Sequence, residues 1–302
     1  MMLYESFEGQ KNIIIGASGL IGKALYDNFT QHNEPVIGTY SAHHENNNLI
    51  KFDLLSSNYD WLKKIIKEHD NVYIMAANSN PSWIFSNPSE AKKLNIDATK
   101  NLIDILKEKN PRIIFMSSVE VFDGKTGNYK ELDKANPLNL YGRMKLNIEE
   151  YLRNNYSKST IVRTGWNIGL DTRSRCVVRL TYDSLLRENA KMAIDNFFSI
   201  SDVEDTANTL RLLGQKSEIK EIHICSDEVI RRDELADLII ENSIYKNNMN
   251  YLKCNFSEIK YSESRGRVNN LSNQLSKDLL NVIYKNTTEI ITNKIKFIDR
   301  ML

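Results

Sequence analysis

Short apolar runs alternate with longer amphipathic stretches over the first half of the chain. The apolar runs predict strands at residues 13–15, 36–40, 49–52, 72–75, 113–116 and 160–163. Helical spacing is present between them, at residues 20–29, 61–68, 90–109 and from about residue 138. Parallel neighbouring strands need crossover connections, so strands that alternate with helices indicate βαβ units and a parallel sheet.

The alternation becomes looser after about residue 165. One further strand is predicted at 222–225, followed by helices at 231–244 and 284–302. We therefore expect an α/β protein with a Rossmann-type doubly wound parallel sheet in residues 1–165. Residues 166–302 would form a smaller C-terminal substrate lobe, with an interleaved boundary.

Composition and charge exclude several classes of protein. The 40 Lys and Arg residues against 39 Asp and Glu give a net charge of +1, which indicates neither nucleic-acid binding nor attraction to an anionic membrane. No apolar run approaches the ~18 residues of a membrane span. The first ten residues carry two acids and no base, which is unlike a signal peptide. The three separated cysteines show neither a metal-binding nor a disulfide pattern, which favours the cytoplasm. A homodimer is the default for a soluble enzyme.

A glycine-rich turn lies where the first predicted strand becomes the first helix. Glycine lets the backbone turn sharply and approach a pyrophosphate, and the helix that follows offers free N–H groups and a positive dipole end. The spacing is GxxGxxG rather than GxGxxG, and such turns also occur for packing alone. Its place at the first βα turn favours a dinucleotide. The predicted cofactor contacts here are Gly16, Ser18, Gly19, Leu20, Ile21 and Gly22.

The end of the second strand bears on the choice between NAD and NADP. Residues 39–44 read TYSAHH and contain no acid that could bind a ribose hydroxyl. NADP(H) is therefore favoured and NAD(H) remains open, with Tyr40 beside the cofactor and Ser41 or His43 as donors to a 2′-phosphate. After the third strand, Asp53 and Leu54 are expected at the adenine, although Asp53 could equally cap the next helix.

A tyrosine and a lysine four residues apart carry the candidate chemistry. Tyr141 and Lys145 share one helical face. A phenol has a pKa of about 10, and a nearby ammonium favours the phenolate, which makes proton transfer easier near neutral pH. Tyr59 and Lys63 have the same spacing but precede the fourth strand, and we assign them no function. Ser118 ends the fifth strand, where it could bind a carbonyl oxygen or cap the strand.

The glycine turn, the serine at the end of the fifth strand and the Tyr-x-x-x-Lys pair occur in the order of an extended short-chain dehydrogenase/reductase. Within that superfamily the chain most closely resembles the dTDP-4-dehydrorhamnose reductase family. The matching stretches are SSVEVFDG at 117–124, PLNLYGRMK at 137–145, RTGW at 163–166 with Gly169, DVEDTA at 202–207 and RVNNLS at 267–272. The resemblance is strong over the first 170 residues and weaker afterwards.

This resemblance implies roles for individual residues. It implies Ser118, Tyr141 and Lys145 as the catalytic set, and no metal. Along the cofactor it implies Ala76, Ala77 and a supporting asparagine, Asn95. Toward the substrate it implies Asn78, Val119, Glu120, Trp166 and Arg267. The family usually has Asp-Tyr in place of Val119 and Glu120, and Val268 replaces a proline, so the product could differ from the family's. Arg163, Arg265 and Arg267 are candidates for the substrate pyrophosphate or for ordinary ion pairs.

The preferred hypothesis is an NAD(P)H-dependent reductase of a nucleotide-linked 4-keto-6-deoxy sugar, with Tyr141 as the proton donor. One alternative is a nucleotide-sugar epimerase or dehydratase of the same superfamily, with Glu120 as a general base. A further alternative is an NADP-binding regulatory subunit that resembles the one of methionine adenosyltransferase. The intact catalytic residues count against this last alternative.

Overall fold

The structure, a computed structural model, describes residues 9–42, 48–55, 58–171 and 176–302. Its strands are β1 Asn12–Ile15, β2 Val36–Tyr40, β3 Ile50–Lys51, β4 Asn71–Ile74, β5 Arg112–Met116, β6 Ser159–Thr164, β7 Trp166–Ile168, β8 Lys191–Ala193, β9 Phe197–Asp202, β10 Glu221–Ile224, β11 Val229–Arg231, β12 Leu252–Cys254 and β13 Val268–Asn269. Its α-helices are α1 Leu20–Gln31, α2 Asp60–Ile65, α3 Pro81–Ser86, α4 Pro88–Lys92, α5 Thr99–Lys107, α6 Leu140–Asn155, α7 Val177–Leu185, α8 Val203–Leu213, α9 Arg232–Asn242, α10 Gln274–Leu280 and α11 Thr287–Asp299.

Seven parallel strands form the central sheet, in the order β10-β6-β5-β4-β1-β2-β3. Strands β1, β4, β5 and β6 are buried along their whole length, as expected for a parallel sheet with helices on both faces. Alternation along β1 separates the two faces: Ile13 and Ile15 pack with α2, α5 and α6, whereas Ile14 packs with α1 and α8. The predicted doubly wound Rossmann-type sheet is therefore confirmed.

A smaller layer of strands and helices lies beside the sheet. Strand β9 pairs with β7 and β13 in parallel and with β11 antiparallel, and β8 pairs with β12. Helices α7, α9 and α11 pack around a separate apolar cluster that includes Tyr182, Leu235 and Ile295. The chain returns to the large sheet through α8 and β10, so elements after residue 165 belong to both layers. A domain division at residue 165 remains a prediction.

Two parts of the structure differ from the predicted elements. The helix expected over residues 90–109 is interrupted by a π-helical turn, Lys93–Ala98, between α4 and α5. In the second half of the chain, β7, β8, β9, β11, β12 and β13 were not predicted, because most of them have only two or three residues. None of the helices in the described ranges has the length and apolar character needed to span a membrane.

Candidate active site

Ser118 lies just after β5, at the carboxyl edge of the sheet. Its hydroxyl accepts a hydrogen bond of 3.2 Å from the backbone N–H of Glu120, which caps the short 3-10 turn Val119–Val121. The same hydroxyl is near the phenol of Tyr141 and acts to lower the pKa of that phenol. Ser118 can therefore cap the strand end and also lie beside the candidate proton donor.

Tyr141 is the second residue of α6. The helix starts here because Asn139 caps it, its side-chain oxygen accepting the backbone N–H of Gly142 at 2.8 Å. Tyr141 is 8% exposed, and burial is the main reason that its pKa lies above the ordinary value. The nearby Glu120 carboxylate also raises this pKa, whereas the Ser118 hydroxyl lowers it. The phenol is thus held protonated, as a proton donor must be.

Lys145 follows one turn later and is also buried. Its Nζ donates a 2.7 Å hydrogen bond to the backbone carbonyl of Met116 and lies 4.7 Å from the centroid of the Phe115 ring. Burial lowers the pKa of Lys145 to about 8, and the Glu149 carboxylate acts in the opposite direction. The ammonium therefore dominates at neutral pH, beside the candidate proton donor.

The glycine turn between β1 and α1 has the geometry expected of a phosphate loop. Gly16 has a φ of +96°, and a Cβ there would lie 2.8 Å from the backbone nitrogen of Ala76. Gly22 faces the carbonyl of Gly16 so closely that a side chain would not fit. Gly19 is exposed, and its missing Cβ would meet nothing nearer than 3.5 Å. Helix α1 starts without a side-chain cap or an acid in its first turn, so its first N–H groups are available to an anion.

The remaining residues predicted in this turn lie around the same helix end. Ser18 and Leu20 line, with Gly19, one side of a cavity of ≈ 300 Å³ whose other side includes Gly169 and Val203. Ile21 is half-buried and packs against the apolar cluster beneath α1. This cavity gives a ligand access to the start of α1.

The segment after β4 lies beside the glycine turn. The N–H of Ala76 donates to the carbonyl of Ile15, and Ala77 and Asn78 follow as half-buried residues. Asn95 lies in the π-helical turn and bonds Asn78 twice: its side-chain oxygen accepts the Asn78 N–H at 2.9 Å, and its amide donates to the Asn78 carbonyl at 2.8 Å. Asn95 therefore supports the segment predicted to follow the cofactor, and it does so through the backbone of Asn78.

The residues predicted at the adenine end are at neighbouring strand ends. Tyr40 ends β2 and is half-buried, and Ser41 follows as an exposed residue. Asp53 is exposed and accepts the N–H of Leu55, so it caps a local turn. Leu54 is buried, and its carbonyl accepts the phenol of Tyr59 at 2.7 Å. His43 lies outside the described residues.

The second Tyr-x-x-x-Lys pair has a structural role. The buried Tyr59 anchors the segment after β3 through that hydrogen bond, and Lys63 forms an ion pair of 3.1 Å with Glu108. Both residues are on α2 or directly before it, away from the end of β5. The location in the fold therefore distinguishes this pair from Tyr141 and Lys145.

Glu120 is half-buried and bound by two amides. Its carboxylate accepts hydrogen bonds from Asn139 at 2.5 Å and from Asn269 at 3.5 Å. Its hydrogen bond with Asn139 supports the residue that caps α6, and its hydrogen bond with Asn269 connects it to the C-terminal lobe. Val119, next to it, is 5% exposed and packs in an apolar cluster with Phe122. That Val119 and Glu120 contact a sugar remains a prediction.

The expectation that Arg163 could pair a substrate pyrophosphate is wrong, because its guanidinium is fully engaged inside the protein. Arg163 is 2% exposed and forms ion pairs with Glu149 at 2.6 Å and Glu221 at 2.9 Å. Its other N–H groups bond Glu149 again, the carbonyl of Glu131 and His223. A guanidinium has five N–H donors, so none is left for a ligand.

Two other arginines form a cationic pair in the C-terminal lobe. Arg232, the first residue of α9, stacks on Phe198 at 4.7 Å, and Arg265 stacks on Tyr261 at 5.1 Å. Burial, together with the positive charge of Arg265, lowers the pKa of Arg232. Within the part of the chain that the structure describes, neither guanidinium has a carboxylate at ion-pair distance. Arg265 was a candidate from the sequence, whereas Arg232 was not, because the only signal at Arg232 is its place at the start of a predicted helix.

Arg267 and Trp166 lie on the same lobe. Arg267 is exposed, its side chain 3.8 Å from Asp195 and its carbonyl bound by the N–H of Phe197. Trp166 starts β7 and is half-buried against the apolar cluster of that lobe. The structure thus brings Ser118, Tyr141 and Lys145 together at one sheet edge, and leaves the substrate contacts of Trp166 and Arg267 as predictions.

Comparisons with known proteins identify the family and the fold. A family profile described as RmlD substrate binding domain matches residues 10–295. The Bos taurus protein "Methionine adenosyltransferase 2 subunit beta" is 30% identical over 213 residues, which is 68% of this chain and 62% of that protein. The match therefore spans less than two thirds of that relative's length.

Solved structures are similar over nearly the whole chain. A hypothetical dTDP-4-dehydrorhamnose reductase from Sulfolobus tokodaii has a TM-score of 0.77 and 25% identity, covering 93% of this chain and 99% of that one. A dTDP-4-dehydrorhamnose reductase from Bacillus anthracis, crystallised with NADP, has a TM-score of 0.76 at 19% identity, covering 95% and 99%. With the profile match over most of its length, this chain belongs to the RmlD substrate binding domain family, a group of extended short-chain dehydrogenase/reductase type.

Proposed function

We propose that the protein is an NAD(P)H-dependent reductase of a nucleotide-linked keto sugar. The observation that carries the proposal is the proximity of Ser118 to Tyr141, with Lys145 one turn away on α6, all three at the carboxyl edge of the sheet. In open α/β folds, ligands bind at this edge. The glycine turn at the start of α1 lies on the same edge and fits the pyrophosphate of a dinucleotide. The Bacillus anthracis reductase that was crystallised with NADP has the same fold.

Each residue of the set has a task that its surroundings support. A bound NADPH would supply the hydride. Ser118 would donate a hydrogen bond to the carbonyl oxygen of the sugar, and Tyr141 would give its phenolic proton to that oxygen as negative charge develops there. Lys145 would stabilise the phenolate that remains, which lowers the cost of the proton transfer. Burial of all three residues strengthens these interactions because water is excluded.

The proposed substrate class is supported by charge. The positive charges of Arg232 and Arg265 act on each other, neither has a carboxylate partner among the described residues, and an anion would offset their repulsion. Guanidinium forks suit phosphate oxygens, so we propose that this pair binds the diphosphate of a nucleotide sugar. A 4-keto-6-deoxy sugar on that nucleotide remains the preferred substrate, in agreement with the family.

A second function is favoured by one comparison. The 30% identity with the beta subunit of methionine adenosyltransferase raises the alternative of an NADP-binding regulatory subunit. A regulatory subunit would form a complex with a synthetase and would need no turnover. Size-exclusion chromatography with a methionine adenosyltransferase catalytic subunit distinguishes the two, because the reductase hypothesis predicts separate elution.

The experiment that tests the proposal is a screen of nucleotide-linked keto sugars. NADPH consumption is followed by the loss of the near-ultraviolet absorbance of its reduced nicotinamide. Wild-type protein is expected to consume NADPH with at least one such sugar, and Ser118→Ala and Tyr141→Phe are expected to bind NADPH but not consume it. NADPH binding without consumption across the whole panel, together with a stable synthetase complex, would favour the regulatory function.

A further inference from the structure

Glu149 lies about two turns after Tyr141 on α6, and its side chain is fully buried. Its carboxylate accepts the hydroxyl of Ser117 at 2.5 Å and two N–H groups of Arg163 at 2.9 and 2.6 Å. Arg153 adds a fourth hydrogen bond, at 2.9 Å. These partners allow an ionised carboxylate to remain in the interior, one turn away from Lys145.

Three α6 residues spaced by four meet three consecutive residues at the end of β5. Tyr141 lies beside Ser118, Lys145 donates to the carbonyl of Met116, and Glu149 accepts the hydroxyl of Ser117. Residues at this spacing share one helix face, so a single face of α6 holds the whole strand end. A shift of Glu149 or Ser117 would therefore also displace Ser118 and Met116, which lie on either side of Ser117.

We infer that Glu149 is a positioning residue for the proposed reaction: its buried carboxylate fixes the end of β5 through Ser117, next to the Met116 carbonyl that holds Lys145. The inference rests on the proposed function, since it assigns Glu149 to the same site. Glu149 contacts no reacting atom and acts through Ser117 and Lys145.

Lys145 is also surrounded by groups that bear on its charge. From β5 it meets the Phe115 ring and the Met116 carbonyl, and from its own helix the Tyr141 ring, while the Glu149 carboxylate lies one turn further along α6. The two arginines that pair with Glu149 lie on β6 and α6, and Glu120 acts on Tyr141 from the turn after β5. Burial disfavours the ammonium of Lys145 and lowers its pKa, whereas the Glu149 carboxylate favours the ammonium and raises that pKa.

The positioning role is tested first with Ser117→Ala, which keeps both charges of the buried ion pair and so is expected to fold. We expect kcat to fall between about threefold and about 100-fold, because small misplacements of catalytic groups have large effects. Ser226→Ala is the matched control: this serine is also 3% exposed, but it bonds the carbonyl of Ile200, away from α6. Equal kcat values for the two variants would overturn the positioning role.

The charge is tested on the free protein by an NMR titration of the Lys145 side chain, whose signal is identified by its loss in Lys145→Met. The wild-type midpoint is expected near pH 8. Glu149→Gln is expected to lower the midpoint by at least about 0.5 pH unit, and Glu149→Asp, which retains the charge, to restore most of it. Equal midpoints in wild type and Glu149→Gln would overturn the electrostatic role. Since no substrate is present, this result is independent of whether the proposed turnover is found.

Discussion

The Nζ of Lys145 lies 5.8 Å from the centroid of the Tyr141 ring. The two side chains are one turn apart on α6, and both are buried beneath the carboxyl edge of the sheet. In such a water-poor environment, a cation near a phenolate stabilises it far more than it would in bulk water. The proposed function assigns Tyr141 as the proton donor and Lys145 as its counter-charge.

Tyr141→Phe is expected to abolish turnover while NADPH still binds, because the variant lacks one hydroxyl and keeps the glycine turn. The matched control is Tyr59→Phe, which removes a buried hydrogen bond to Leu54. This control is expected to lose about 1 kcal/mol of stability and to keep its kcat. Steady-state kinetics and urea denaturation of both variants check the prediction, and similar kcat values would show that the wrong pair was chosen.

A preference for NADPH over NADH is expected from the acid-free end of β2. Ser41→Asp should shift the preference toward NADH, because a carboxylate there repels the 2′-phosphate and can bind a ribose hydroxyl. Ser41 is exposed, so the substitution should leave the fold intact. The ratio of kcat/KM for the two cofactors measures the effect, and a wild-type preference for NADH would refute the prediction.

Arg163→Leu is expected to affect stability, whereas Arg232→Ala is expected to affect substrate binding. Loss of Arg163 leaves Glu149 buried without its main partner, which should cost about 3–5 kcal/mol of unfolding free energy. Loss of Arg232 should leave stability nearly unchanged and raise the KM of the nucleotide sugar about tenfold or more, if the cationic pair binds its diphosphate. Denaturation curves and KM values measure the two effects. A stable Arg163→Leu protein with a raised KM would contradict the structural role of this residue.

The pH dependence of kcat should reflect Lys145. Burial lowers its pKa to about 8, below its ordinary value, so the ammonium is present below that pH and is lost above it. Because the ammonium assists proton transfer from Tyr141, kcat is expected to fall as the pH rises through about 8. A kcat profile from pH 6.5 to 9.5, roughly spanning this titration, tests the expectation. A profile that rises steadily above pH 8 would contradict it.

The sheet could be predicted from the sequence because its central strands are short, continuous apolar runs between helical stretches. The proximity of Ser118, Tyr141 and Lys145 could be predicted because each has a fixed place relative to a strand end, whereas their catalytic role stays a prediction. For Arg163 the sequence left a pyrophosphate contact and an ion pair open, because its partners Glu149 and Glu221 are 14 and 58 residues away and no local pattern reveals their buried ion pairs.

Other features needed the three-dimensional structure for similar reasons. Strands such as β7 and β11 have three residues each, too few to show periodicity. The π-helical turn holds Asn95 against the backbone of Asn78, a contact across 17 residues that the helical pattern alone does not predict. Arg232 becomes a candidate only when Arg265 is seen beside it.

Glu120 is the residue on which the reductase and the epimerase or dehydratase differ most sharply. A general base must be free to take a proton from a carbon, but the Glu120 carboxylate is bound by Asn139 and Asn269. Glu120→Gln is therefore expected to retain measurable reductase activity. Activity lost completely in a variant that still folds and binds NADPH would favour a catalytic role for Glu120.

Isotope tracing tests the central claim most directly. With NADPH deuterated at the transferring position and a nucleotide-linked keto sugar, a reductase places one deuterium on one sugar carbon and consumes one equivalent of cofactor per turnover. In heavy water with ordinary NADPH, no deuterium should enter a carbon–hydrogen bond of the product. Carbon-bound deuterium acquired from heavy water, without net consumption of NADPH and absent in Glu120→Gln, would contradict the reductase and favour an epimerase or dehydratase.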